Sequence, residues 1–387
     1  MNKIRIEIKI LALSIIFACG AYLGYLRISA FQYESNLPEP EQIKKIAHIM
    51  TPEPVKAVYM TSYVAGVVDW RERILKLIDD TELNALVIDV KDYTGVNIIE
   101  RAPDIADYVR ELHDHDVYVI GRLSVFQDQK YVDEHPEYAV LRKDNAQVWR
   151  DRKGIAWLDP GSREVWDYIV TLARDSYKLG FDEINFDYIR YPSDGDIDNI
   201  AYAHSDPNIS KSEQMRLFYK YLDFKLRPEG IPISADLFGL TTVYTHDMNI
   251  GQLLENTLPY FDYVSPMVYP SHFADGFGGW PDPNKVPGEV VRYSLIEASR
   301  RATAASSSPH KLRPWLQDFD YGGNYGEVEV RAQINAVYDA GLTSWMLWDP
   351  SVKYTQGALD ATPVRQSGAT AEDPGVKYTP EAFESAF

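Results

Sequence analysis

The chain has 387 residues, 45% of them hydrophobic, which suffices for one domain of about 250 to 300 residues with extensions, or for two smaller ones. A formal net charge of -18 excludes a protein built to grip a polyanion, because nucleic-acid binders cluster Lys and Arg on one face. Aromatic residues make up 13%, including 27 Tyr and 8 Trp, and their faces suit core packing or stacking on sugar rings.

In chain order, Lys3, Arg5 and Lys9 precede an uncharged run from Ile10 to Leu26, closed by Arg27. That pattern predicts a membrane anchor with the bulk of the chain outside the cytoplasm. A cleaved signal peptide and a lipoprotein modified at Cys19 are the alternatives. Cys19 is the single cysteine, so no disulfide framework exists. Residues 1–30 are thus a signal anchor or signal peptide. Residues 31–55, punctuated by Pro38, Pro40, Pro52 and Pro54, read as a linker.

From Lys56 short apolar runs alternate with amphipathic ones. Strands are expected at 56–62, 85–92, 118–126, 181–192, 232–240, 263–270, 312–319 and 344–350. Helices are expected at 69–80, 103–115, 162–179, 210–226, 250–258, 289–305 and 327–340, with a long connection over 127–160. Eight alternating βα units across 56–350 predict an α/β fold, a closed (β/α)8 TIM barrel. No GxGxxG follows the first strand, which argues against a dinucleotide-binding sheet. Residues 351–387 lose the rhythm and read as an irregular C-terminal extension.

In such a barrel the site lies at the C-terminal ends of the strands. Polar residues recur there: Asp89, Lys91 and Asp92 on strand two, Arg122 on three, Asp187 and Arg190 on four, Asp236 on five. Tyr269 ends strand six, Gln317 and Asp318 end seven, and Trp348 and Asp349 end eight. Alternation puts Glu183, Asn185 and Asp187 on one face, Ser234 with Asp236, and Asp89 with Lys91. Two carboxyls across a cleft can act as nucleophile or base and as acid on a glycosidic bond. Burial would raise one pKa while Lys91, Arg122 and Arg190 lower the other. Structural roles for the same groups are ion pairing of Asp187 with Arg122 or Arg190, of Asp89 with Lys91, and loop capping by Asp318 and Asp349. His113-Asp114-His115 falls at a helix end on the wrong side for a metal site, and Gly322 to Gly326 reads as a turn.

The segment Gly180 to Pro192 (GFDEINFDYIRYP), with Val87 to Asp92 (VIDVKD), Trp149-Arg150-Asp151, Trp157 to Pro160 (WLDP), Pro266 to Ser271 (PMVYPS) and Arg313 to Gln317 (RPWLQ), resembles the DUF4015 family of glycoside hydrolase domains. The resemblance spans about Lys56 to Pro350 and implies hydrolysis of a polysaccharide. Strand four is also similar to the chitinase pattern DxxDxDxE, but Ile189 stands where the acid belongs and Asn185 replaces another acid, which argues against that route. Amylase-like barrels place acids on strands four and five, as Asp187 and Asp236 would be.

The expectation is therefore a glycoside hydrolase of the envelope or extracellular space, with Asp187 as nucleophile or base and Asp236 as acid. Trp315, Trp348, Tyr269 and Tyr191 would form the sugar platform, and Asp89, Lys91, Arg122, Arg190 and Gln317 would set charge and hydroxyl contacts. No cofactor and no metal is implied. A carbohydrate-binding barrel without catalysis, and a sugar-phosphate enzyme, are the other readings.

Overall fold

The computed structural model describes residues 47–362, so the expected anchor, most of the linker and the end of the extension lie outside the described residues. Eight parallel strands close a barrel in sequence order: β1 (Lys56–Met60), β2 (Ala85–Lys91), β3 (Tyr118–Ser124), β4 (Glu183–Asp187), β5 (Ile233–Phe238), β6 (Tyr263–Met267), β7 (Trp315–Gln317) and β8 (Trp345–Trp348). Closure is made where β1 pairs with both β2 and β8. The connecting helices are α1 (Val68–Asp80), α2 (Ile105–Asp114), α3 (Arg163–Lys178), α4 (Lys211–Leu226), α5 (Leu254–Thr257), α6 (Pro287–Ala304) and α7 (Glu327–Asp339).

Most strand positions are apolar because both faces are covered, and β4 is the exception, with Glu183, Asn185 and Asp187 at alternate positions. Every residue of β2 and β3 is buried. Alternate side chains divide into two apolar clusters. Val58, Leu86, Ile88 and Val119 pack outward against helices. Ala57, Tyr59, Val87, Ile120 and Trp315 pack inward on the barrel axis. Helix starts follow the sequence signals: Ser162 accepts from Val165 N at 3.3 Å, and Ser210 accepts from Glu213 N at 3.1 Å.

The last stretch read as linker is part of the domain. Ile49 N donates to Asp182 Oδ1 (2.7 Å), and Thr51 Oγ1 bonds Tyr118 OH (2.8 Å), so residues 48–55 close the foot of the barrel. Val55 and Ile49 join the inner cluster there. His113, read as an unlikely ligand, serves the same foot by contacting Asp182 Oδ2 at 2.9 Å. Just above lies a buried ion pair, Arg313 Nη1 to Glu183 Oε1 at 2.9 Å, on which Tyr118 OH also donates at 3.1 Å.

Among the described residues no α-helix follows β8. Residues 351–362 cover that side instead, with Tyr354 OH donating to Tyr59 O (2.5 Å) and accepting from Tyr59 N (2.9 Å). Asp318 holds this strap by accepting from Thr355 N (2.9 Å) and Thr355 Oγ1 (2.6 Å), and Asp349 accepts from Ser351 N (2.5 Å). Both are loop-capping acids. Burial pushes Asp318 up to about 7.

Strand four is shorter than expected. Tyr188 takes φ +53°, a left-handed conformation costly for a non-glycine residue, and the strand ends at Asp187. The 127–160 connection is ordered by its own acids. Asp151 accepts from Gln127 Nε2 (2.7 Å) and Trp157 Nε1 (3.1 Å), and Asp159 accepts from Ser205 Oγ (2.7 Å).

Candidate active site

The C-terminal ends of β2 to β5 bring three carboxyls onto one guanidinium. The register pairs Asp89 with Arg122, Arg122 with Asn185, and Asn185 with Ser234, so these side chains stand side by side on the inner face. Arg122 Nη1 donates to Asp89 Oδ1 at 2.6 Å, Nη2 donates to Asp187 Oδ2, and Nε lies 3.5 Å from Asp236 Oδ2 without a hydrogen bond. Its guanidinium stacks over Trp348 (4.9 Å) and Tyr59 (5.7 Å). Burial works against the charge on Arg122, but the facing carboxyls, Asp187 foremost and then Asp89, hold it firmly in its charged form.

The three acids differ in environment. Asp187 is 7% exposed and its Oδ1 accepts from Tyr188 N at 2.6 Å, so the left-handed turn points that amide at the carboxylate. Asp89 is buried, accepts from Tyr59 OH, and is raised by that burial. Asp236 is fully buried; its Oδ1 accepts from Asn185 Nδ2 (2.9 Å) and Trp315 Nε1 (2.8 Å). Its Oδ2 has no hydrogen-bond partner. Burial first, and the Asp187 charge second, push Asp236 up to about 8 against the opposing pull of Arg122. At neutral pH Asp236 is thus protonated beside the Asp187 carboxyl, which places a proton donor next to a second acid. Around them Asn185 Oδ1, Ser265 Oγ and Tyr269 OH are also buried without partners. Ser265 sits opposite Asp236 in the register. Unpaired polar atoms at one depth are suited to sugar hydroxyls.

The raised pKa has a consequence for stability. Between pH of about 4 and 8 the native state keeps a proton on Asp236 that the unfolded chain releases, so the favourable contribution is complete below about 4 and is lost as pH rises toward 8. Asp236→Asn is expected to gain stability relative to the parent as pH rises through this window, read from urea midpoints. A difference that stays constant with pH contradicts the assignment.

Several expected site residues stand elsewhere. A register shift between Asp89 and Lys91 inserts Val90 as an extra residue, which turns Lys91 to the outer face. There Lys91 Nζ pairs with Asp128 Oδ2 at 2.5 Å, 5.4 Å from the Tyr168 ring, so Asp89 and Lys91 are not partners. Arg190 forms no ion pair with Asp187. It stacks against Phe238 (4.5 Å), Trp157 (4.9 Å) and Tyr188 (5.3 Å) and donates to Tyr191 O at 3.0 Å. Tyr191 is buried against Tyr202, with its hydroxyl bonded to Ser205, and offers no sugar platform. Trp315 is fully buried and contributes its indole N–H rather than its face. Gln317 is spent on loops: Oε1 accepts from Ser271 Oγ (2.8 Å), and Nε2 donates to Phe319 O (2.9 Å).

Of the expected set, Asp187, Asp236, Asp89, Arg122, Trp348 and Tyr269 do converge. Tyr59 was missed; it stacks on Trp348 at 3.8 Å and donates to Asp89. Its signal was available, since Tyr59 is the bulky inward residue near the end of strand one. Among the described residues no group of three His, Cys, Asp or Glu side chains is placed to hold a metal ion.

Barrel and rim together define a glycoside-hydrolase-like (β/α)8 domain. The chain belongs to the DUF4015 family, whose model, described as "Putative glycosyl hydrolase domain", matches residues 57–354. No curated protein matches the chain. Among solved structures, the glycoside hydrolase domain of PgaB (BpsB) from Bordetella bronchiseptica is similar at 13% identity and a TM-score of 0.58, covering 79% of this chain and 99% of that one. A hypothetical protein from Ruminiclostridium thermocellum ATCC 27405 is 29% identical over 46% of this chain and 96% of its own, with a TM-score of 0.41. The alpha-galactosidase TtGalA from Thermus thermophilus is 14% identical, with a TM-score of 0.49, covering 79% of this chain and 60% of that one. The first of these likenesses supports the barrel fold.

Proposed function

We propose that the protein hydrolyses glycosidic bonds in a cell-envelope or extracellular polysaccharide, tethered to the membrane by its N-terminal segment. Asp187 is the nucleophile or base, and Asp236 is the acid. The observation that carries this reading is the protonated Asp236 beside Asp187, with Arg122 bonded to one and within 3.5 Å of the other. A binding barrel has no use for a buried acid held protonated beside a second carboxyl.

In the reaction, Asp187 faces the anomeric carbon, or the water that attacks it, and the Asp236 proton passes to the leaving oxygen. Tyr269 OH and Asn185 Oδ1, buried without partners, take sugar hydroxyls. Tyr59 and Asp89 keep Arg122 anchored through Nη1. Arg122, 3.5 Å from Asp236 Oδ2, offsets the negative charge that builds at Asp236 as its proton leaves. The test is reducing-end release from cell-wall and exopolysaccharide preparations by the soluble barrel and by Asp187→Asn. Release by the parent alone is the expected result; equal release by both, or none by either, overturns the reading.

A further inference from the structure

With the expected platform residues Trp315 and Tyr191 buried, the exposed rings lie elsewhere on the rim. The loops after β6 and β7 carry His272, Phe319 and Tyr321, joined through Tyr269. Tyr269 is 5.4 Å from His272 and 5.6 Å from Phe319, ring centre to ring centre, and His272 is 5.9 Å from Tyr321. Tyr321 is 63% exposed, so its ring face is open to a ligand.

The two loops do not drift independently. Gln317, fully buried at the end of β7, accepts from Ser271 N (3.2 Å) and Ser271 Oγ (2.8 Å), and donates to Phe319 O (2.9 Å) and Tyr321 O (3.4 Å). One amide therefore fixes both sides of the aromatic patch. Burial lowers the His272 pKa, which disfavours the charged ring and suits it to an uncharged partner. The patch is continuous with the carboxyl cluster, because Tyr269 belongs to the inner cluster with Trp315 and Tyr59.

We propose that His272, Phe319 and Tyr321 form a sugar-binding subsite for pyranose rings of the glycan chain beyond the cleavage point, preorganised by Gln317. This rests on the glycoside hydrolase reading for its ligand class. Aromatic faces stack on the C–H faces of pyranoses, and a rigid shelf avoids the ordering cost of binding. Gln317 is a positioning residue here and needs no contact with sugar.

The full chain carrying Asp187→Asn, run in native gels cast with the same cell-wall and exopolysaccharide preparations, isolates binding from hydrolysis. At least one preparation is expected to retard it. Adding His272→Ala and Tyr321→Ala is expected to weaken that binding by about tenfold, while adding Tyr63→Ala, an exposed tyrosine on the β1 side, leaves it unchanged. Gln317→Ala is expected to weaken binding in the same direction with both rings retained. Unchanged retardation in the double variant, or no retardation of the parent by any preparation, overturns the subsite. Hydrolysis persisting in Asp187→Asn would instead overturn the catalytic reading and leave the subsite standing.

Discussion

Replacing Asp187 with Asn is expected to reduce hydrolysis by a factor on the order of 10³ to 10⁵ while leaving polysaccharide binding within a few-fold of the parent. The amide cannot attack or take a proton, yet it nearly matches the carboxylate in size. Its oxygen can accept either from Tyr188 N or from Arg122, where the carboxylate now serves both. The loss of one charge-assisted bond costs about 1.5 to 3 kcal/mol of stability, which a barrel of this size survives. A second effect follows from the neighbour. The Asp187 charge is one of the two main causes raising Asp236, so the variant's remaining acid titrates lower. Reducing-end assays paired with gel retardation check both halves. Lost binding with lost hydrolysis would assign Asp187 to the scaffold instead.

Arg122→Met is expected to be the most destabilising single change at the rim, by about 3 to 5 kcal/mol. Arg122 is the cation paired with Asp89 and Asp187 and the nearest to Asp236, and methionine fills the space without the charge. Buried carboxylates left without a cation respond by holding protons, so their folded-state pKa values rise. The sign follows directly: a group raised in the folded state favours folding below its unfolded pKa and loses that contribution as pH rises. The variant should therefore lie closer to the parent at pH 5 than at pH 8 in urea midpoints. An equal deficit at both pH values would mean that Arg122 matters through packing over Tyr59 and Trp348 and not through charge.

The alternation of apolar and polar runs made the barrel legible from sequence, because each strand is buried on both faces and each helix on one. The acids were legible for the opposite reason: Asp187 and Asp236 stand out as acids near the C-terminal ends of buried strands, although Glu183, in the same strand as Asp187, is spent on Arg313. What stayed hidden depended on single-residue register. One extra residue at Val90 sends Lys91 to the outer face, and a slip of that size is invisible to a period-two count. The left-handed Tyr188 likewise ended strand four early and carried Arg190 and Tyr191 out of the strand expected to hold them. Gln317 pointed inward as expected, but the loop carbonyls that claim its amide leave no trace in sequence. The tether was misjudged at its end, where Ile49 and Val55 already offered the apolar side chains that plug the foot.

As the proposed acid, Asp236 must carry a proton, which its surroundings hold up to a pKa of about 8. The most direct measurement is the pH dependence of kcat/KM for polysaccharide hydrolysis in the parent and in Asp236→Asn. The parent should lose activity about tenfold per pH unit above about 8, and the variant should show a residual rate without that basic limb. A parent rate that holds level to pH 10, or a basic limb unchanged in Asp236→Asn, would contradict it.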